Sequence, residues 1–166
     1  MRATVIIPAA GSSSRHTDAG GVRHKLDEDL GDRPVLHRAV ELFTTRDEVV
    51  SIVVAGPHDP DDFEAFRERH GAKLGFYGVT LCRGGATHRW QSVKAALKHA
   101  DETGSHIAVH DAARPGTPEE LIDRVFEAAS RFDAVIPGVP VADTVRRVGD
   151  EPDAHDADPL DAIFGG

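Results

Sequence analysis

The sequence predicts an α/β protein built on a Rossmann-like, doubly wound and mostly parallel sheet, and three observations predict it. Short runs rich in Val and Ile recur along the chain as "TVIIPAA", "VVSIVVAG", "VTLCRGG", "HIAVHDAA" and "AVIPGVPV". They lack the strict alternation of a strand with one wet face, as expected where both faces of a parallel sheet are covered. Segments with helical spacing separate the runs, so that strand and helix alternate. Ligands of such sheets sit at the carboxyl ends of the strands.

Each helix has its own signals. In "RPVLHRAVELFTT", Val35, Leu36, Ala39, Val40 and Phe43 form one apolar stripe. "DPDDFEAFRERHG" offers Asp59 as N-cap, Pro60 at the first helical position and Gly71 as a stop. A helix near 88–100 turns Val93, Ala96, Leu97 and Ala100 inward. In "TPEELIDRVFEAAS", Thr117 and Glu120 have capping-box spacing around Pro118, with Leu121, Ile122, Val125 and Phe126 as the buried face. The last stretch, "GDEPDAHDADPLDAIFGG", is acidic, proline-containing and weakly periodic, and reads as a tail or an interrupted segment.

Composition narrows the function. With 166 residues the chain suits one domain. A formal net charge of −9 argues against a general nucleic-acid surface, since phosphate backbones are bound by basic patches. No apolar run has the length of a membrane span and no signal-peptide pattern opens the chain, which places the protein in the cytoplasm. The single Cys82 excludes an internal disulfide and reads as a small buried residue in its strand. The ten histidines are scattered without the spacing of a metal centre.

Four clusters carry chemistry. After the first strand, "AAGSSSR" puts small residues Ala9, Ala10 and Gly11 where backbone N–H groups can approach a phosphate or a base edge. The loop is neither a dinucleotide fingerprint nor a P-loop, and a plain strand-to-helix turn is the equal alternative. Arg15 and Lys25 tilt the balance, because an anionic triphosphate needs cations before its α-phosphorus can be attacked. Arg23 reads as a solvated surface cation. In "HDAARP", at a strand end, Asp111 could hold magnesium or accept from substrate hydroxyls and Arg114 could grip a phosphate, while an internal Asp–Arg pair is the plainer reading. In "RGGATHRWQSV", Gly84 and Gly85 permit close approach, Ser92 lies one turn beyond Arg89, and Trp90 reads as packing before stacking platform. In "VPVADTVRRV", Thr144 after Asp143 either donates to a phosphate or makes a turn.

In this order, "PAAGSSSR", Lys25, the Gly-Gly…Arg…Ser-Val pattern, "HDAARP" and "PVADTVRR" resemble the 2-C-methyl-D-erythritol 4-phosphate cytidylyltransferases of the non-mevalonate isoprenoid pathway, over residues 4–148. The wider relatives are sugar-nucleotide and polyol-phosphate nucleotidyltransferases. The resemblance implies a nucleotide-binding domain over 1–148, with 149–166 a tail or the start of a dimerisation arm. It implies CTP and a polyol phosphate as substrates, Mg2+ as cofactor and a homodimer. It gives Ala9, Ala10 and Gly11 to the CTP pocket, and makes Arg15 and Lys25 the catalytic cations. Gly85 and Ser92 would select cytosine, while Asp111, Arg114 and Thr144 would face the methylerythritol phosphate.

The departures are specific. Ser13 stands where many members have Gly, the loop from Arg15 to Lys25 is a few residues longer, and an extra residue after Gly85 leaves His88 and Arg89 as alternatives for the family's arginine. After Val148 none of the family's later elements is recognisable, so the expectation is either a truncated chain or a divergent one without acceptor binding. The competing functions are transfer to another polyol phosphate, such as ribitol 5-phosphate, and a non-catalytic CTP-binding module.

Overall fold

The computed structural model describes residues 1–11, 25–142 and 144. Ser13, Arg15, Arg23, Asp143 and the segment 149–166 lie outside the described residues. The chain divides into two units, Met1–Ile136 and Pro137–Gly166. In the second, Pro137–Ala142 and Thr144 carry no regular structure and are exposed.

Among its described residues the first unit holds four parallel strands, β1 (Ala3–Pro8), β2 (Val49–Gly56), β3 (Thr80–Arg83) and β4 (His106–Val109), in the order β3-β2-β1-β4. Between and after them run α1 (Val35–Glu41), α2 (Pro60–Phe76), α3 (Arg89–Leu97) and α4 (Glu119–Ala129). Successive strands add outward from β1 to β3, and β4 then returns to the other side of β1. The switch point therefore lies between the carboxyl ends of β1 and β4, where open α/β sheets form their ligand crevice.

The middle of the sheet is covered on both faces because the side chains of β1 and β2 alternate between two cores, whereas β4 at the edge leaves Ile107 and Val109 each 44% exposed, so the expected double cover stops short of it. Val5 and Ile7 of β1 with Ile52 and Val54 of β2 meet Leu36 and Val40 of α1, Phe66 and Leu74 of α2, and Ile122 and Phe126 of α4. Ile6, Val53, Ala55 and Cys82 point the other way and meet Ala96 of α3. Cys82 is buried, and burial pushes its thiol above the ordinary range. Among the described residues no helix is long and apolar enough to cross a membrane.

Several expectations change in detail. Gly71 does not stop α2: Phe66, His70 and Leu74 continue one buried row past it, and the helix ends before Gly78, whose φ is +73°. Its start is as read, with Asp59 Oδ1 accepting from the Asp61 and Asp62 amides. α3 ends at Leu97, which is exposed, and Ala100 lies beyond it. No capping box forms at α4, because the Thr117 hydroxyl turns back to donate to the Arg114 carbonyl and extended Pro118 takes the N-cap position. The expected fifth strand, "AVIPGVPV", is not formed, and Ile136 is exposed. Pro137 and Pro140 remove two ladder donors from those eight residues.

Candidate active site at the switch point

Three strand ends and one helix converge at the crevice. The Ala9 amide donates to the Ala55 carbonyl and the Gly84 amide to the Gly56 carbonyl, which extends β1 and β3 past their formal ends. At Gly84 there is no space for a side chain. A Cβ there would stand 2.6 Å from the Gly56 carbonyl oxygen, 2.7 Å from Ser92 Oγ and 2.9 Å from Ala10 Cβ. Gly85 is tighter still, since its Cβ would meet Gln91 Cβ at 2.1 Å. These contacts give the glycine pair its physical reason: α3 begins directly over the ends of β1 and β3.

Ser92, on the first turn of α3, is buried, and its Oγ accepts from the Gly85 amide at 3.0 Å. Gln91 Oε1 accepts from the Thr87 and His88 amides and so ties the approach to α3. Trp90 departs from the packing expectation: it is 60% exposed and stacks on His88, with ring centroids 6.5 Å apart.

On the opposite wall the β4 strand end delivers "HDAARP". The His110 amide donates to the Ile6 carbonyl, and His110 Nε2 lies 3.1 Å from the Arg114 carbonyl oxygen. Burial pushes the His110 imidazole below its ordinary range, so at neutral pH the ring is uncharged and its Nε2–H donates to that carbonyl. Asp111 Oδ1 accepts from Arg89 Nη2 at 2.6 Å, and Asp111 Oδ2 from Arg114 Nε at 2.9 Å. Partial burial pushes this carboxyl up, but the Arg89 hydrogen bond and the charges of Arg89 and Arg114 outweigh it and hold it below the usual carboxylate range. The internal Asp111–Arg114 pair is thus formed, with Arg89 as a third member drawn from the other wall.

Lys25 closes the arrangement from a third direction, and a Cβ built on Gly11 would lie 4.0 Å from its Nζ. Ala9, Ala10, Gly11, Lys25, Gly85, Ser92, Asp111 and Arg114 line one cleft of about 600 Å³, joined by Thr87, His88 and Arg89. Eight of the ten residues singled out in the sequence therefore share one cavity. Arg15 is outside the described residues, and Thr144 lies in the second unit. Both His88 and Arg89 reach the cleft, but Arg89 makes the ion pair across it.

The described residues do not fit a resident magnesium ion. Among them no group of three or more His, Cys, Asp or Glu side chains could hold a metal. Asp111 is the one carboxylate among the described residues of the cleft, and each of its oxygens is paired with an arginine. A protein-built magnesium site needs free oxygen ligands in near-octahedral array.

A family model described as IspD, 2-C-methyl-D-erythritol 4-phosphate cytidylyltransferase, matches residues 3–157. The chain belongs to that family. A 2-C-methyl-D-erythritol 4-phosphate cytidylyltransferase of Frankia casuarinae is 43% identical over 148 residues, covering 89% of this chain and 52% of the relative. A bifunctional IspD/IspF enzyme of Rhizobium rhizogenes is 36% identical over 89% of this chain and 36% of its own length. The chain thus spans about half, or less, of these curated IspD relatives. Among solved structures, 4-diphosphocytidyl-2C-methyl-D-erythritol synthase of Anaerococcus prevotii aligns with a TM-score of 0.68 at 26% identity, over 90% of this chain and 60% of that one. The parallel sheet of the described residues therefore has the IspD fold.

Sequence reasoning missed two features. Letters alone cannot say which of the adjacent His88 and Arg89 faces Asp111, and it is Arg89 that does. The buried contact between His37 and His70, 3.1 Å apart, was missed because the two stand 33 positions apart. One signal existed: His37 follows Leu36 on the apolar side of its helix and lies three residues before Val40.

Proposed function

We propose that the chain transfers a cytidylyl group from CTP to 2-C-methyl-D-erythritol 4-phosphate and releases pyrophosphate. The observation that supports this reading is the shared cleft: a close-packed glycine wall, an ammonium at Lys25 and an Arg–Asp–Arg cluster surround one volume large enough for a nucleotide.

In the reaction a phosphate oxygen of the acceptor attacks the α-phosphorus of CTP in line. The new P–O bond forms as the bond to the β-phosphate oxygen breaks, and pyrophosphate carries away the electron pair. The attacking oxygen is already anionic near neutral pH, so no general base is required. What remains is positioning and charge stabilisation. The backbone of Ala9, Ala10 and Gly11 would meet the phosphates, with Lys25 and Arg15 countering charge that builds on the β- and γ-phosphates. Gly85 and Ser92 would border the base. Arg114 and Asp111 would hold the acceptor, Asp111 accepting through the lone pairs that its two arginines leave free, and Thr144 keeps the acceptor role on the resemblance alone. Magnesium belongs to this reading as the counter-ion that arrives with the triphosphate.

The test is pyrophosphate release by the full chain with CTP, magnesium and methylerythritol phosphate. Turnover supports the reading, and turnover with ribitol phosphate instead would reassign the acceptor. Calorimetric CTP binding without turnover would make the chain a nucleotide-binding module, and neither binding nor turnover would reject the proposal. Light scattering tests the homodimer that goes with it.

A further inference from the structure

Outside the cleft, the described residues hold a buried polar chain that the proposed reaction does not use. It runs from Asp27 to His70 of α2 and on to His37 of α1. His70 is 2% exposed and His37 6%. Asp27 Oδ1 lies 2.7 Å from His70 Nε2, and His70 Nδ1 lies 3.1 Å from His37 Nε2. The carboxylate can only accept, so the Nε2–H of His70 donates to Asp27, and the His70 Nδ1–His37 Nε2 contact completes the chain. Burial first, and then the neighbouring His70, hold His37 below its ordinary pKa.

Asp27 stands two residues from Lys25, and Leu26 between them is buried and lines the cleft. On its other side the segment is pinned to the start of α1, with the Leu36 amide donating to the Leu26 carbonyl at 3.2 Å and the Val35 amide to the Glu28 carbonyl at 2.9 Å. The Asp27 carboxylate thus hydrogen-bonds the Lys25 segment to α2, beside the packing of Leu26 in the core that Phe66 and Leu74 of α2 share. Its second partner, Arg69 Nε at 3.4 Å, is half exposed, and such pairs hold little. The bond to the buried imidazole is the stronger anchor.

We propose that His70 is a positioning residue for Lys25: through Asp27 it fixes the segment that carries the Lys25 ammonium into the cleft, with His37 held against its other ring nitrogen. Lys25 as a ligand of the nucleotide's phosphates rests on the function proposed above; the anchoring of its segment does not.

The experiment compares His70→Leu, His70→Gln, Asp27→Ala and the His70→Leu/Asp27→Ala double variant in the full chain. It reads CTP affinity by calorimetry with magnesium, amide hydrogen exchange over residues 25–36, and melting temperature. His70→Leu is expected to weaken CTP binding about tenfold, the effect of a broken network contact of ordinary size, and to speed exchange over 25–36. Gln keeps a donor near the Nε2 position and is expected to restore most of the affinity. Asp27→Ala should match His70→Leu, and the double variant should lose nothing further. A folded His70→Leu that binds CTP like the parent overturns the proposal, as does a Gln variant no better than Leu, which would mark a merely structural role. If His70→Leu does not fold, Asp27→Ala, at a partly exposed site, carries the same comparison. If the parent chain binds no CTP, the cytidylyl reading falls, and unchanged exchange over 25–36 in Asp27→Ala would overturn the anchoring separately.

Discussion

Arg89 Nη2 lies 2.6 Å from Asp111 Oδ1, a bond that joins the first turn of α3 to the loop after β4 across the mouth of the cleft. The same carboxylate holds Arg114, so one negative charge fixes two guanidinium groups from opposite walls. Asp111→Asn should therefore separate two functions. CTP affinity should hold or improve, because a negative charge leaves the pocket, while turnover with the acceptor should fall by about 10- to 100-fold, the range for a lost hydrogen bond to a charged group. Calorimetry and steady-state kinetics on the same preparation check both halves.

The cluster also predicts a titration. Burial raises the Asp111 carboxyl, but the Arg89 bond and the two arginine charges lower it more, so its midpoint should lie below that of an ordinary aspartate. A carboxyl group depressed in the folded state stabilises the fold above its unfolded pKa and loses that contribution as pH falls through the folded value. The cluster should thus survive mild acid. Carboxyl carbon NMR is expected to show the low midpoint in the parent chain and a rise in Arg89→Ala.

Two histidines act in the opposite pH region. His37 and His110 are both held below the ordinary imidazole range, chiefly by burial. Between the folded and unfolded values the unfolded chain binds more protons, so stability rises with pH across that window. Their contribution is complete above about pH 6.5 and is lost as pH drops below it. Melting temperature should be level at neutral pH and fall through the mildly acidic range. His110→Phe, which keeps an edge-on ring against Phe43, should flatten that fall.

The glycine wall admits no side chain. At Gly85 a methyl group would overlap Gln91, and at Gly84 it would press on the Gly56 carbonyl and on Ser92 Oγ. Gly84→Ala and Gly85→Ala are each expected to cost about 1–3 kcal/mol, the usual penalty for overpacking. Denaturant unfolding measures it. Substitution at Gly116, where a Cβ would meet nothing within 4 Å, is the matched control.

Much of this architecture was legible in the letters. The alternation of β-branched runs and amphipathic stretches defined β1 to β4 and α1 to α4, because strands and helices leave different periods, but it did not show that β4 keeps one face exposed. The glycine pair, Ser92, Asp111 and Arg114 were visible as residues with special geometry or charge beside strand ends. Lys25 was visible through the phosphate chemistry it suits. What stayed hidden was long-range. Nothing local says that Arg89 rather than His88 crosses to Asp111, or that His70 of one helix meets His37 of another. Local signals also misled where a competing preference won: buried Phe66, His70 and Leu74 carried α2 through Gly71, and two prolines overrode the apolar run at 134–141.

In the proposed function the cleft at the β1/β4 switch receives a triphosphate against Lys25. Titration of CTP with magnesium into the parent chain and into Lys25→Ala tests it most directly. Binding by the parent is expected, with at least about tenfold weaker binding by the variant and a shallower dependence on salt once the ammonium is gone. Equal affinities in the two proteins, or a parent chain that binds no CTP, would contradict it.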